Sequence, residues 1–147
     1  MINTLLANLI YIFHIIIILF ILLSPFSNIP SFLILHIVFS LCLFIHWSTN
    51  SNACSLTLLE GKLRGLKDVD TFSYQFISPL YNISKTESSN LAWVITFTMM
   101  CVSIYYLYNN KRFKESIKCF NEIDINLSFT EKSKEIIKCF FPLFIIN

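Results

Sequence analysis

Two glycines among 147 residues rule out a glycine-rich phosphate cradle, which needs several backbone positions without a Cβ. Charge is scarce as well: 14% of the residues are charged, and the formal net charge is +2. That is too little for a nucleic-acid surface, so no nucleic-acid partner is expected. Five cysteines are present, but Cys42, Cys54, Cys101, Cys119 and Cys139 form no C-x-x-C and have no histidine at metal-finger spacing. Neither a disulfide framework nor a metal site is expected from them. No segment recurs at a fixed period, which excludes a solenoid or a propeller.

In place of these features the chain has apolar length. It is 55% hydrophobic with fifteen Phe, the composition of a protein whose solvent is the lipid bilayer. Residues 5–23 are apolar apart from Asn8 and His14, and at about 1.5 Å per residue they can cross a hydrocarbon core of about 30 Å. A cleaved signal peptide is the alternative; against it stand the lack of Lys or Arg before the run, its length, and the poor cleavage site at residues 24–27. Pro25, Asn28 and Pro30 mark a short turn, so the next helix is an antiparallel neighbour. That second span covers 29–47, with His36 inside and His46 and Trp47 at its far interface. The third covers 91–108, with Trp93 at one end and Tyr105, Tyr106 and Tyr108 at the other. The polar cluster at residues 84–90 reads as a turn before it.

The tail alternates between two periodicities. Phe113, Ile117 and Phe120 predict a short amphipathic helix, whereas residues 122–129 alternate strictly and predict a strand. Ser128 with Glu131, or Thr130 alone, can cap a last helix carrying Ile136, Ile137, Phe140 and Phe141. The final apolar run is too short to span and is expected to dock on the bundle or the interface. Phe72, Tyr74, Phe76, Ile77, Leu80 and Tyr81 are expected to fold back onto the membrane surface or the bundle. The whole is an all-α membrane protein with about three transmembrane helices, an amphipathic interfacial segment within 54–81 and a membrane-associated tail. Residues 1–110 form the transmembrane domain and 111–147 the tail.

The unusual residues collect at 46–65. On one continuous helix, His46, Asn50, Cys54, Thr57, Glu60 and Arg64 line a single polar side, with Leu56, Leu59, Leu63 and Leu66 opposite. Gly61 and Gly65 sit four apart beside that stripe, a spacing that lets another helix approach closely. Thr57 and Glu60 also fit a capping box, in which case a helix of about two turns starts after Thr57, stops at Gly65 and lies in the interface on its leucines.

Cys54-Ser55-Leu56-Thr57-Leu58-Leu59-Glu60, followed by Leu63-Arg64-Gly65, resembles the C-P-L-T-x-L-E-x-x-L-R signature of a family of small, uncharacterised bacterial integral membrane proteins, with similar sequences in algae and large DNA viruses. His14, His36 and Phe76-Ile77-Ser78-Pro79-Leu80-Tyr81 fall where that family carries histidines and a Phe-Ile and Pro-Leu segment. The resemblance covers roughly residues 10–82 and departs from the pattern at Ser55, where proline is usual. It implies architecture and carries no activity with it.

For chemistry, His46 and Cys54 lie about 12 Å apart along one helix and cannot form a pair unless the helix breaks at residues 50–52. His14 and His36 are the stronger ligand candidates, because ionisable groups within spans face the protein interior or a partner. Helix geometry places the two imidazoles within about one turn of the same level, which permits a shared ligand or a haem. Hydrogen bonding between them, or of one to a Ser or Tyr hydroxyl, is the simpler expectation. The expected function is helix packing or scaffolding, without catalysis or a bound cofactor, with the lipid bilayer and other membrane helices or a second copy as partners. The alternatives are a haem-binding or redox protein using His14 and His36, and a lipid-facing enzyme around Cys54, Glu60 and Arg64. Basic residues near the spans number four on each side, Lys62, Arg64, Lys67 and Lys85 against Lys111, Arg112, Lys114 and Lys118. The tail's charges lie closer to their helix, which points to a cytoplasmic tail. The sequons at Asn82 and Asn126 fall on opposite sides of the third span.

Overall fold

The computed structural model describes residues 2–66 and 84–144. Among these, helix is the only regular structure and no strand forms. Helix α1 is Ile2–Leu23 and α2 is Pro30–Thr49. A short α3 spans Ser55–Leu63, and α4 is Lys85–Asn109. The tail adds α5, Lys111–Asn121, and α6, Phe129–Phe140. Three helices, α1, α2 and α4, are long and apolar enough to cross a membrane. Their outer faces expose Leu5, Leu9, Phe13, Ile16, Leu35, Val38, Leu41, Val94 and Phe97, the surface expected where the surrounding solvent is hydrocarbon. The aromatic segment expected to fold back between 72 and 81 lies outside the described residues.

The turn between α1 and α2 is short because proline sets it. Ser24–Phe26 forms one 3-10 turn, Asn28 takes a left-handed conformation, and Pro30 starts α2, where a missing amide costs nothing. Pro25 has a second effect, because it removes the N–H that the carbonyl of Ile21 would otherwise accept. His36, 0% exposed, supplies the replacement: its Nε2–H donates to the Ile21 carbonyl at 3.0 Å. Its Nδ1 accepts from the Ser103 hydroxyl at 2.8 Å. One neutral imidazole thus joins all three spans, and its loss would orphan a buried carbonyl at a cost of about 1–3 kcal/mol. Phe20 reinforces the joint from α1, edge-on to Phe39 at 5.5 Å between centroids.

Above this joint α2 packs along α4 and α3 packs along α1. Ser40, Ser88, Thr96 and Ser103 are buried, small polar residues that let helix backbones approach closely in lipid. Trp93 stacks on Phe44 at 5.1 Å and tilts against Trp47 at 5.5 Å. Helix α4 begins at Lys85, so residues 86–90, expected as a turn, are its first turns. The cause is a capping box: Ser84 N–H donates to Glu87 Oε2 at 2.8 Å, and Glu87 N–H donates to Ser84 Oγ at 3.2 Å.

In the tail, α5 and α6 form a hairpin tied by a Cys119–Cys139 disulfide with its Cα atoms 5.6 Å apart. Phe120 packs on Phe140 beside it, at 5.9 Å. The expectation of no disulfide is therefore corrected, because the two cysteines stand 20 residues apart and only the hairpin brings them together. The expected strand at 122–129 is also corrected: its alternation finds no partner strand among the described residues, and Asp124 Oδ1 instead accepts from the Asn126 N–H at 2.9 Å, closing a turn. Helix α6 starts at the Ser128–Glu131 capping box, with Ser128 N–H donating to Glu131 Oε2 at 3.1 Å. Those hydrogen bonds hold the Glu131 carboxyl below its usual range. A 3-10 turn at Phe141–Phe144 buries Leu143 and packs on α2, α5 and α6, which docks the tail on the bundle.

Reduction of the denatured protein with a phosphine should expose two more thiols to a maleimide mass tag, and Cys119→Ser should abolish that gain. An unchanged tag count on reduction of the wild type would mean that the hairpin is not covalently closed.

Candidate functional site

The polar stripe of 46–65 is broken in two. Thr49, Asn50, Ser51 and Asn52 are poor helix formers whose short side chains compete for backbone groups. The Thr49 hydroxyl donates back to the Ile45 carbonyl at 2.9 Å. Ser51 and Asn52 then take left-handed conformations, with φ of 50° and 61°. The Asn50 amide donates to the Ala53 carbonyl at 2.9 Å and to Ser55 Oγ at 3.2 Å, and Trp93 Nε1 donates to Asn52 Oδ1 at 3.2 Å. The bend aims α3 at α1. The continuous-helix reading of His46, Asn50, Cys54, Thr57, Glu60 and Arg64 is corrected accordingly.

The capping-box reading is corrected too, since α3 starts three residues earlier. Cys54 is the N-cap and Thr57 lies inside the first turn. His46 replaces the expected cap, its Nε2 accepting the Ser55 N–H at 3.2 Å. Helix α3 stops at Gly65, with Leu66 N–H donating to the Gly61 carbonyl at 3.0 Å and Gly65 N–H to the Lys62 carbonyl at 3.2 Å, the Schellman pattern. Gly65 has φ of 71° and, among the described residues, no atom within 4 Å of a would-be Cβ. It is the stop of α3, and of the pair Gly61 is the buried one.

Helix α3 is inside-out by the standards of a water-soluble protein. Thr57, Glu60 and Gly61 are buried, whereas Leu58 and Leu59 face outward, the arrangement expected of a helix whose surroundings are apolar. Glu60, 6% exposed, receives Arg64 Nε–H at 2.9 Å. Arg64 Nη2 also donates to Asn8 Oδ1 of α1 at 3.0 Å. Ten residues earlier, Cys54 Sγ lies 3.8 Å from His14 Nε2. The helices therefore run antiparallel, with Arg64 opposite Asn8 and Cys54 opposite His14. His14 is twelve residues into α1, about 18 Å from its first residue.

A cavity of about 530 Å³ opens between α1, the bend, α3 and α4, backed by Leu43 and Trp47 of α2. Its wall is mostly apolar, with Ile17, Ile18, Ile21, Leu22 and Ile95 among the lining residues, and His14, Asn52, Cys54, Thr57, Ser88 and Thr96 bring the polar groups. Thr57 is 4% exposed, and its hydroxyl has no hydrogen-bond partner among the described residues. A hydroxyl buried without a partner is costly, so its position in the wall asks for an acceptor or donor from within.

A family model described as Protein of Unknown function (DUF2784) matches residues 4–109. The chain belongs to the DUF2784 family. The DUF2784 match runs from the first turn of α1 to the last residue of α4, so it contains the three spans, α3 and every residue lining the cavity. The disulfide-tied tail lies outside it. No curated protein and no solved structure matches the chain.

His14 and His36 do not meet. His36 stands opposite Ile21, seven residues along α1 from His14, about 10 Å away. Both ring nitrogens of His36 are engaged, so the pair does not fit axial ligation of a haem. Among the described residues no three His, Cys, Asp or Glu side chains converge for a metal ion. The contact that sequence reasoning missed is His14 with Cys54, forty residues apart; no local spacing signals it.

Because Glu60 is buried and Arg64 is partly exposed, the two single deletions should differ. Arg64→Ala strands a buried carboxylate and should cost about 3 kcal/mol, whereas Glu60→Ala leaves an arginine that can keep Asn8 and reach water, at about 1 kcal/mol. Equilibrium unfolding in detergent would measure both, and equal small losses would place Glu60 on the surface.

Proposed function

We propose that this protein holds a single fatty acyl chain within the membrane, its oxygen-bearing end against His14, Cys54 and Thr57 and its tail along α1. The observation carrying this reading is a mostly apolar cavity whose wall also holds the His14 and Cys54 contact and the Thr57 hydroxyl. The volume of about 530 Å³ suits one small ligand, and a site walled by spanning helices draws its occupant from the bilayer. Thr57 offers the only hydroxyl in the wall that is both buried and without a partner among the described residues. The scaffolding role expected from helix packing gives no account of that hydroxyl, and the haem reading lacks a pair of free imidazoles.

Native mass spectrometry of the protein, delipidated and then supplied with palmitate in detergent micelles, should show one adduct per chain. Ala92→Trp, which fills the cavity from α4, should reduce its occupancy about 10-fold or more. Equal adducts in both proteins, or a random ladder of adducts, would overturn the reading.

On sidedness, the tail's disulfide supports a compartment where thiols oxidise. This outweighs a basic-residue count that is equal on the two sides of the membrane, so we place the tail away from the cytoplasm. Asn126 is exposed in the hairpin loop, and in a eukaryotic secretory membrane the sequon at Asn126 alone should be glycosylated. Modification at Asn82 would reverse the assignment.

A further inference from the structure

We propose that Cys54 is a nucleophile that accepts the acyl group, with His14 as its base. The inference rests on the acyl-chain reading of the cavity and adds a covalent step to it. Three free cysteines are described. Cys42 and Cys101 are exposed on the outer faces of their helices, whereas Cys54 is half-buried, lines the cavity and has an imidazole 3.8 Å from its sulfur. A thiol beside a histidine within hydrogen-bond reach is the arrangement of an activated nucleophile, and such contacts shorten when substrate binds.

The surroundings match what acyl transfer requires. Cys54 is the N-cap of α3, so the amides of the first turn have no acceptor inside the helix. The Ser55 amide is taken by His46, and those of Leu56 and Thr57 remain next to the sulfur in the chain. With the Thr57 hydroxyl they supply donors for a carbonyl oxygen that gains negative charge. Helix α3, at nine residues, is held rigid at its other end by the Glu60, Arg64 and Asn8 contacts. The apolar lining of the cavity takes the chain, with the carbonyl at the sulfur.

The step balances without an oxidant or a reductant. His14 Nε2 takes the thiol proton as the sulfur attacks the carbonyl carbon of an activated fatty acyl group. The C–S bond forms, the bond from the carbonyl carbon to the leaving group breaks, and the leaving group departs with the proton from His14. The product is an S-acyl thioester on Cys54. Two donors share this chemistry, a long-chain acyl thioester from the aqueous side and a glycerolipid ester from the bilayer.

The test uses the full chain in phosphatidylcholine vesicles, offered alkynyl-palmitoyl-CoA in one arm and a phosphatidylcholine with an alkynyl acyl chain in the other. Label is detected by click coupling, located by peptide mass spectrometry, and checked for release by neutral hydroxylamine. Hydroxylamine-labile label on Cys54 is expected, its donor identified by whichever arm labels. His14→Ala and Thr57→Val should each slow labelling by about 100-fold or more, and Cys54→Ser should abolish the labile label. Palmitate adducts of the wild-type protein in native mass spectrometry report binding separately from labelling, and the thermal unfolding of Cys54→Ser in detergent separates loss of chemistry from loss of fold. Label on Cys42 or Cys101 instead, or a Cys54 rate unchanged in His14→Ala, would overturn the proposal. No labelling in either arm while the adduct persists would overturn it and leave acyl-chain binding intact; loss of both would overturn both.

Discussion

In hydrocarbon no water is available to complete a backbone that has lost a hydrogen bond, so each orphaned carbonyl must find a partner inside the protein. Here Pro25 creates such an orphan at Ile21, and His36 resolves it. The same imidazole accepts from Ser103, so one local defect in α1 becomes the point at which α1, α2 and α4 are pinned together. From this joint α2 follows α4, while α1 is met along its length by α3. The space bounded by these pairs is the cavity.

The placement of polarity follows from the same constraint. Glu60, Thr57, His14 and His36 are buried, the placement expected of polar groups in a bundle whose surroundings are apolar. Such groups are useful only where something polar meets them. Glu60 has Arg64, His36 has a carbonyl and a hydroxyl, and His14 has the sulfur of Cys54. The Thr57 hydroxyl is aligned with the same wall, where a ligand carbonyl would complete it.

Features with a local cause could be read in advance. The three spans follow from apolar length, the stop at Gly65 from a glycine after the last helical turn, and the start of α6 from Ser128 and Glu131. The same capping logic at Ser84 and Glu87 would have placed the start of α4, but the polar composition of residues 84–90 concealed it. Alternation misled at 122–129, since period two describes a strand only if another strand is present to pair with it. The site was harder still. Helical spacing aligned His46 with Cys54, whereas two left-handed residues turned the chain, gave His46 to the Ser55 amide and gave Cys54 to His14. Pairings across 40 and 56 residues, Cys54 with His14 and Arg64 with Asn8, leave no periodic trace. Burial of the stripe depends on which solvent surrounds the helix, and periodicity alone does not specify that.

The bend at Ser51 and Asn52 also fixes an order of events during synthesis. Every group that ties α3 to α1, from Asn8 and His14 to Cys54, Glu60 and Arg64, lies in the first 66 residues. Their contacts can form while α4 has still to leave the ribosome, since domains and their parts assemble as the chain emerges. The part of the cavity wall that holds His14, Cys54 and Thr57 can therefore assemble before the part that α4 supplies. When α4 arrives, Ser88, Trp93 and Thr96 complete the wall.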